Sequence, residues 1–584
     1  MKKAILATAA LMLAGSAFGQ TFVYPDAWSS SKPSEVKEGG VYRASAISDY
    51  KTLNPFTAAE SGNIPQVLTT ANGMFTFDVS TGDYIPYMAA SYTVSKDKLV
   101  WTMNLRKGMK WSDGKSIVAD DFITTFKIHT DEDVGSNSYD GFFVNDKPIK
   151  MKKIDADTIQ AILPSVSADA IETLAFAPYP DHVFAPVYAS KGAAGIKAMW
   201  TLNTPAEQIV SSGAFKFKSY KPGERLEMVA NPTFGEWNKN SAGNSLPYLA
   251  GRTVAIVKDV TASLAAFLNG DTDAFAPANA DQLRQVKAAI DGGKLKAVLR
   301  ANVGPAASSQ WIVFNWNQKS NPSKQAMLRD DNFRRAMSHL TNRAAMVDLV
   351  YGGLAQPAYS SVYAAFTQWV SPDLKKFDYN IEAATALLAK AGFSKKNSDG
   401  YLVNKAGKVA EFDLTTNSGN NQREQLAKIF ADEAKKAGVK VNFKPVDFNT
   451  LVQVLLSEGD DRKFDAILLG LSGGGRIYPL GDNVEPCGTN LHAFNKSGKC
   501  LAAWETQVTA LFARGKQELD FKKRVAIAQQ IQNVQSNYQA WDYLVSPNAH
   551  FSWSSSVKGE YPTALQTSIN GPREGVAETT WLQK

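Results

Sequence analysis

Apolar and polar residues alternate from Val100 to Arg106, and this alternation predicts a half-buried strand. Trp101, Met103 and Leu105 fall on one face, while the residues between them are polar. Turns are predicted on both sides of a short second apolar segment, since Gly108 and Gly114 can adopt positive φ. The pattern therefore predicts a strand, a turn, a short strand and a second turn.

A helix is predicted directly after the second turn. Asp120 and Asp121 precede the apolar positions Phe122, Ile123 and Phe126. Two carboxylates in a first turn interact favourably with the positive end of the helix dipole. These residues contain no activated nucleophile and no metal-ligand cluster, so we expect the whole stretch to be structural.

This stretch resembles the signature of the solute-binding proteins that serve peptide-type ABC importers, the large three-lobed branch of the periplasmic-binding family. The matching residues are Leu105, Arg106, Gly108, Trp111, Asp113, Gly114, Ala119 and Asp121. Val118 is a departure, because relatives place Thr or Ser there to cap the helix. The missing cap weakens the predicted helix start by about 1 kcal/mol.

Later segments resemble the same family in the same order. Residues 211–217 resemble its strand returning to the first lobe, and 330–343 its Asp-x-x-Val-Arg helix, with Asn342 where Asp is usual. The order strand, helix, Gly-Asp, strand is predicted at 253–275 and again at 439–470. Such a crossover unit requires a covered sheet.

The resemblance implies an α/β fold of the type II periplasmic-binding class. This fold has two main lobes with mixed sheets, an additional lobe and a hinged cleft. The predicted division is a signal peptide at 1–19, the first lobe at 20–75, 195–305 and 541–584, the additional lobe at 76–194 and the third lobe at 306–540.

Length and composition agree with a multi-domain globular protein. The chain has 584 residues, of which 44% are hydrophobic and 20% charged, so a disordered or fibrous protein is excluded. The formal net charge of +7 is spread without a long basic run. We therefore expect no nucleic-acid partner.

The first nineteen residues have the pattern of a signal peptide. Lys2 and Lys3 precede an apolar run, and small residues at Ala17 and Gly19 predict cleavage before Gln20. The run is too short to span a bilayer as a stable helix. We expect export to the periplasm without a lipid anchor, since Cys is absent from the cleavage site; secretion from a single-membrane cell is the alternative.

The two cysteines, Cys487 and Cys500, lie in one loop-rich region. In an oxidising compartment a local disulfide is expected, worth about 3 kcal/mol for a loop of this length. A zinc site that includes His492 is the alternative, but it lacks a fourth ligand and the usual spacing. We therefore predict a disulfide and no metal site.

A glycine-rich run at 470–474 allows two interpretations. It matches G-x-S-x-G, with Ser472 as nucleophile and Asp482 and His492 or His550 downstream in the order of a hydrolase triad. The following glycines and Pro479 disfavour the helix that such a nucleophile requires. Alternatively, the glycines let backbone donors and acceptors approach a ligand closely, and a glycine loop without ligand contact is also open.

Relatives that bind dipeptides place a Gly-Trp-Thr-Gly-Asp pattern at this run, and its Asp neutralises the peptide amino terminus. In this chain Gly474 stands at the position of that Asp and Leu471 at that of the Trp. The usual anchor is therefore absent. This absence leaves longer peptides and oligosaccharides open as solutes.

The resemblance also implies which residues line the cleft. Aromatic side chains suit both stacking on sugars and packing against peptide side chains. Asn315 is the candidate for a hydrogen bond to a backbone amide of the solute, and Arg476 for a contact with a carboxylate or hydroxyl. For each aromatic residue singly, core packing is the competing interpretation. The predicted ligand-binding residues are Ser45, Asn72, Met74, Trp311, Asn315, Trp316, Tyr363, Trp369, Ser472, Gly473, Gly474, Arg476 and Tyr478.

We therefore expect an extracytoplasmic solute-binding protein that captures peptides by lobe closure and delivers them to an ABC permease. We expect a monomer without cofactor and without enzymatic activity. Oligosaccharide binding is the alternative within the family, and a secreted serine hydrolase using Ser472 is the alternative from another class.

Overall fold

The structure is a computed structural model that describes residues 21–58, 70–71, 73–78, 81–144, 147–473, 476–559 and 577–583. The predicted signal peptide and two predicted ligand residues, Asn72 and Gly474, lie outside these ranges. The α/β class is confirmed, since mixed sheets and helices alternate along the described chain.

The alternating stretch forms the strand Val100–Leu105 of a four-stranded antiparallel sheet. Met103 and Leu105 are buried, and the half-buried Trp101 stacks on Tyr92 with ring centroids 5.8 Å apart. The strand order is Ala89–Val94, Val100–Leu105, Thr158–Ile162 and Lys150–Lys153.

The helix Ala119–His129 begins where the two aspartates predict it. Val118 has no side-chain cap, but the Asp121 carboxylate accepts a hydrogen bond from Val118 N at 2.7 Å and another from Asp181 N at 2.7 Å. Burial raises the pKa of Asp121 to about 6, against the lowering effect of these donors. The carboxylate thus compensates for the missing cap.

Two further sheets, of four and three strands, lie in the predicted first lobe. One has the order Phe215–Lys221, Arg225–Ala230, Gly251–Ile256 and Val41–Ala46, and its last pair is parallel. The other has the order Ala274–Phe275, Phe551–Ser554 and Ala297–Arg300. The helices Val260–Leu268 and Ala280–Asp291 pack beside the second sheet.

A six-stranded mixed sheet forms the centre of the predicted third lobe. Its order is Ala355–Pro357, Trp541–Pro547, Ser308–Phe314, Ala466–Ser472, Glu411–Asn417 and Lys440–Val446. The first three pairings are antiparallel and the last two are parallel.

Both faces of this sheet are covered, which explains its nearly continuous apolar strands. Ile312 and Phe314 face the helices Asp331–Leu340, Arg343–Tyr351 and Asn421–Lys436. Trp311 and Val313 face the opposite core, which includes Ala503–Gln517 and Phe521–Tyr538. The crossover predicted at 439–470 is present, with the helix Phe448–Leu455 between its two strands.

One predicted boundary differs from the structure. Residues 541–547, assigned above to the return into the first lobe, form a strand inside the six-stranded sheet, where Trp541 pairs with Val313. Leu544 and Val545 are fully buried between the two helical layers. The return to the first lobe begins later, with Phe551–Ser554.

Shorter elements complete the described chain. The remaining helices are Ala170–Thr173, Asp181–Lys197, Pro232–Trp237, Pro322–Arg329 and Ile381–Lys390, with 3-10 turns at Asp26–Trp28, Pro33–Glu35, Glu132–Val134, Asp140–Phe142, Ala206–Gln208 and Ala364–Trp369. The remaining strands are Phe22–Val23, Phe75–Asp78, Asp83–Pro86, Phe143–Val144, Lys147–Pro148, Asn238–Lys239, Lys395–Lys396, Leu402–Val403, Val557–Lys558 and Trp581–Leu582.

Candidate functional site

A cavity of about 560 Å³ lies between residues of the predicted additional lobe and the six-stranded sheet. Segments 137–142 and 169–176 form one wall. Strand residues of the sheet and the loop 478–485 form the other. Its size is within the range of small-ligand sites.

Four of the predicted ligand residues line this cavity: Trp311, Tyr363, Ser472 and Tyr478. Trp311 lies on the strand Ser308–Phe314 and meets Trp541 edge to face, with ring centroids 4.6 Å apart. Ser472 is the last residue of its strand and is exposed. The structure therefore brings together residues that are up to 167 positions apart, from 311 to 478.

The other described candidates do not line the cavity. They are Ser45, Met74, Asn315, Trp316, Trp369, Gly473 and Arg476. Ser45 bonds Ser263 through the two hydroxyls at 2.6 Å, and Met74 is fully buried. Gly473 donates its N–H to Ala307 O at 3.1 Å, with a φ of 111° that favours glycine.

Asn315 is a core residue, contrary to the role suggested for it above. Its Nδ2 donates to the carbonyls of Arg462 and Phe464, at 3.1 and 2.7 Å, and its Oδ1 accepts from Asn317 N at 2.9 Å. The side chain is fully buried. Its amide therefore satisfies backbone groups of the loop at 462–464 and does not face a solute.

Trp316 and Trp369 also belong to the core. Trp316 packs against Phe494 at a centroid distance of 4.7 Å. Trp369 packs against Phe521 at 5.3 Å. Both indoles are at most 3% exposed, so core packing, the competing interpretation, describes these two residues.

Arg476 takes part in a contact between the lobes. Its backbone N–H donates to both carboxylate oxygens of Glu172, at 3.0 and 3.2 Å, and Ile477 N donates at 3.3 Å. Tyr84 Oη donates to the same carboxylate at 2.8 Å, and the Arg476 guanidinium lies 3.5 Å from the Phe77 ring centroid. We call this contact the Glu172 clasp.

Further contacts join the same two lobes beside the cavity. Asn490 N donates to Asp140 at 3.1 Å, and Ala168 N donates to Lys516 O at 2.7 Å. The Lys516 ammonium lies 2.5 Å from Asp482 and 3.7 Å from Asp169. The two walls of the cavity are therefore in direct contact.

Sequence reasoning missed the charge of the cavity. Four carboxylates line it: Asp169, Glu172, Asp482 and Glu485. Burial raises the pKa of Asp482 against the lowering effect of Lys516, and it raises the pKa of Glu485 to about 7. Asp482 was considered only as a triad member, and no local pattern distinguished Glu485 from a loop carboxylate on the surface.

The side chains proposed for a hydrolase triad form hydrogen bonds or ion pairs with other residues. His492 Nδ1 lies 2.8 Å from Val484 O, and its Nε2 lies 3.2 Å from Glu505. His550 Nδ1 accepts from Asn302 N at 2.8 Å, and Asp482 pairs with Lys516. Between the end of this strand at Ser472 and the helix that begins at Ala503, the described ranges contain no helix of the kind on which this motif places its nucleophile.

The predicted disulfide between Cys487 and Cys500 is confirmed. His492 and Glu505 lie close to Cys487, with one potential ligand atom of each within 4.8 Å of the others. The disulfide occupies both thiols that the zinc alternative requires. Among the helices of the described ranges, none is long and apolar enough to cross a membrane.

Comparison with known proteins agrees with this geometry. Residues 83–480 match the model of the bacterial extracellular solute-binding proteins, family 5. A probable ABC transporter-binding protein of Deinococcus radiodurans is 46% identical over the full length of both chains.

Solved structures show the same fold. The oligopeptide-binding protein AppA of Bacillus subtilis, in complex with a nonapeptide, has a TM-score of 0.76 at 22% identity, covering 94% of this chain and 100% of its own. The periplasmic binding protein MelB of Agrobacterium fabrum, in complex with stachyose, has a TM-score of 0.81 at 20% identity, covering 94% and 85%. The chain belongs to the bacterial extracellular solute-binding proteins of family 5.

Proposed function

We propose that this protein captures peptides in the cavity between its additional and third lobes and delivers them to the permease of an ABC importer. The family as a class binds peptides or other small solutes, works with ABC permeases and is not enzymatic. The observation that carries the proposal is the cavity of about 560 Å³ whose two walls meet through the Glu172 clasp.

Closure of the lobes is the proposed mechanism. A clasp made of one carboxylate and two backbone N–H groups forms only when the two lobes approach, so it favours the closed state. A solute held between both walls adds contacts to that state alone and shifts the equilibrium further. The permease then receives the closed, loaded form.

Oligosaccharide is the second candidate solute. The aromatic lining that includes Trp311, Tyr363 and Tyr478 suits sugar rings, and the similar MelB structure contains stachyose. For a peptide, the similar AppA structure contains a nonapeptide. Mass spectrometry of the solute released by acid from the purified protein decides between them: a peptide mixture supports the proposal, and a di- or tetrasaccharide contradicts it.

Closure is tested by small-angle scattering on protein stripped of its solute. We expect the radius of gyration to fall when the solute identified by mass spectrometry is added back. A radius that is unchanged at saturating solute contradicts closure. Ser472→Ala tests the hydrolase alternative: a hydrolase would lose turnover outright, whereas a binding protein would still bind its solute, because binding requires no nucleophile.

We also propose that the mature protein begins at Gln20, is located in the periplasm without a lipid anchor and acts as a monomer. The basic and apolar leader at 1–19 supports export. N-terminal sequencing of protein from the periplasmic fraction and light scattering of the purified protein test these points.

A further inference from the structure

One carboxylate in the cavity differs from the others in its surroundings. Glu172 is bound by backbone N–H groups, and Asp169 and Asp482 share the Lys516 ammonium. Glu485 is 1% exposed and accepts a hydrogen bond from Gln535 Nε2. Within the described ranges, no basic side chain forms an ion pair with it.

Among the residues that the structure describes, the lining contains no basic residue that could serve as its counter-ion. Ionisation of a buried carboxylate without a counter-ion is unfavourable, so the group tends to take up a proton. Burial accordingly raises the pKa of Glu485 to about 7. Such a group is poised to lose its proton when a cation enters the cavity.

Aromatic rings surround this carboxylate. Trp311, Tyr363, Tyr478, Trp541 and Tyr543 line the same cavity. Besides burial, the charge of Glu485 raises the pKa of all three tyrosines, which places them close to it. Aromatic faces attract ammonium and guanidinium groups, most strongly where water is excluded.

Three further buried atoms in the lining have no hydrogen-bond partner among the described residues. They are Ser309 Oγ, Trp311 Nε1 and Tyr478 Oη, whose residues are at most 2% exposed. Buried polar groups are normally satisfied, and an exception calls for an explanation. We expect a bound solute with carbonyl or hydroxyl groups to supply partners for these atoms.

The loop that carries Glu485 is fixed in place. Glu485 N donates to Gly481 O at 3.0 Å, and two residues later Cys487 joins the disulfide and donates its N–H to Thr509 at 3.1 Å. A pre-organised loop loses little conformational entropy when a solute binds. The carboxylate is therefore held in position before binding.

We propose that the cavity binds a cationic group of the solute, an alkylammonium or a guanidinium, with Glu485 as counter-ion and the surrounding rings as walls. This proposal rests on the proposed function and specifies its substrate class. For a peptide, the cation is either the free amino terminus or a lysine or arginine side chain. Both sources present the same chemistry to the carboxylate.

The test uses three pools of pentapeptides that differ in where they carry a positive charge. The first has free amino termini and no basic residue, the second has acetylated termini and one Lys or Arg, and the third has acetylated termini and no basic residue. Equilibrium dialysis followed by mass spectrometry measures the bound fraction of each peptide with solute-free protein.

We expect the wild type to bind the first or the second pool at least tenfold more tightly than the third. Glu485→Gln should lose at least tenfold in affinity for the preferred cationic pool and should bind the third pool within twofold of wild type. Glu224→Gln is the matched control, because Glu224 is half exposed on a hairpin turn and does not line the cavity. The preferred pool identifies the source of the cation.

Two outcomes overturn the proposal, and they are distinguishable. If the wild type binds all three pools equally, or if Glu485→Gln keeps the preference, the cation site is refuted while peptide capture stands. If the wild type binds no pool, peptide capture fails and the inference fails with it. A wild type without any preference refutes the proposal even if the variant does not fold.

Discussion

Replacing Glu485 with glutamine should make the solute-free protein more stable at alkaline pH. The carboxylate is buried among aromatic rings, and no counter-ion faces it within the part of the chain that the structure describes, so its ionisation destabilises the folded state. Glutamine keeps the shape and the hydrogen-bonding capacity toward Gln535 but carries no charge. The predicted gain comes from removing a group that serves binding and opposes folding.

The magnitude follows from the pKa of Glu485 in the two states. Burial raises it from 4.5 to about 7 in the folded protein. Between these values the folded state binds more protons than the unfolded state, so stability is highest below about pH 4.5 and falls as the pH rises through 7. A difference of about 2.5 pH units, at about 1.4 kcal/mol per unit, amounts to about 3 kcal/mol.

Urea unfolding of solute-free protein, followed by tryptophan fluorescence at pH 5 and pH 8, measures this effect. Relative to wild type, Glu485→Gln should gain about 2 to 3 kcal/mol in the free energy of unfolding between the two pH values. Asp482 titrates in both proteins, so its contribution cancels in the difference. The tyrosines near Glu485 remain neutral in this range because burial raises their pKa.

The result that would refute this reasoning is a difference between variant and wild type that is the same at both pH values. Such a result would mean that Glu485 ionises in the folded state near its ordinary pKa, because a counter-ion or solvent compensates it. Glu224→Gln provides the control, because the Glu224 side chain is 48% exposed. Its effect on the free energy of unfolding should be the same at pH 5 and pH 8.

Three further predictions concern the scaffold. Reducing the Cys487–Cys500 bridge, whose positions are 13 apart, should lower the free energy of unfolding by about 3 kcal/mol, and an unchanged urea midpoint with dithiothreitol would contradict this. Asp542→Ala should destabilise the protein by about 3 to 5 kcal/mol, because it leaves the Arg343 guanidinium, 2.8 Å away, charged and buried; a loss below 1 kcal/mol in the same assay would argue against it. Glu172→Ala should reduce solute affinity at least fivefold in calorimetry and enlarge the scattering radius of the loaded protein, since it removes the clasp; unchanged values of both would show that the clasp does not favour closure.

Local patterns predicted the elements and their approximate limits. Alternation placed the strand at 100–106, observed as Val100–Leu105, and the paired aspartates placed the start of the helix Ala119–His129. The order of many such segments was sufficient to indicate the protein family. These features depend on side-chain period, capping and turn chemistry, which act over a few residues and are therefore visible in one stretch of sequence.

Only the tertiary structure decided which polar and aromatic side chains face the cavity. Asn315 and Trp316 look like ligand residues in sequence, but loops far along the chain, at 462–464 and 494, cover them. Trp541–Pro547 joins the third lobe because its pairing partners lie more than 180 residues earlier.

The protonation of Glu485 also depends on the tertiary structure. Its sequence neighbours determine a loop with a disulfide two positions away, and they leave open whether its carboxylate is solvated. Rings from residues 311, 363 and 543, brought together by the sheet and the segments packed on it, exclude water and raise its pKa. Because burial and charge compensation depend on contacts distant in sequence, the character of this site is a property of the fold.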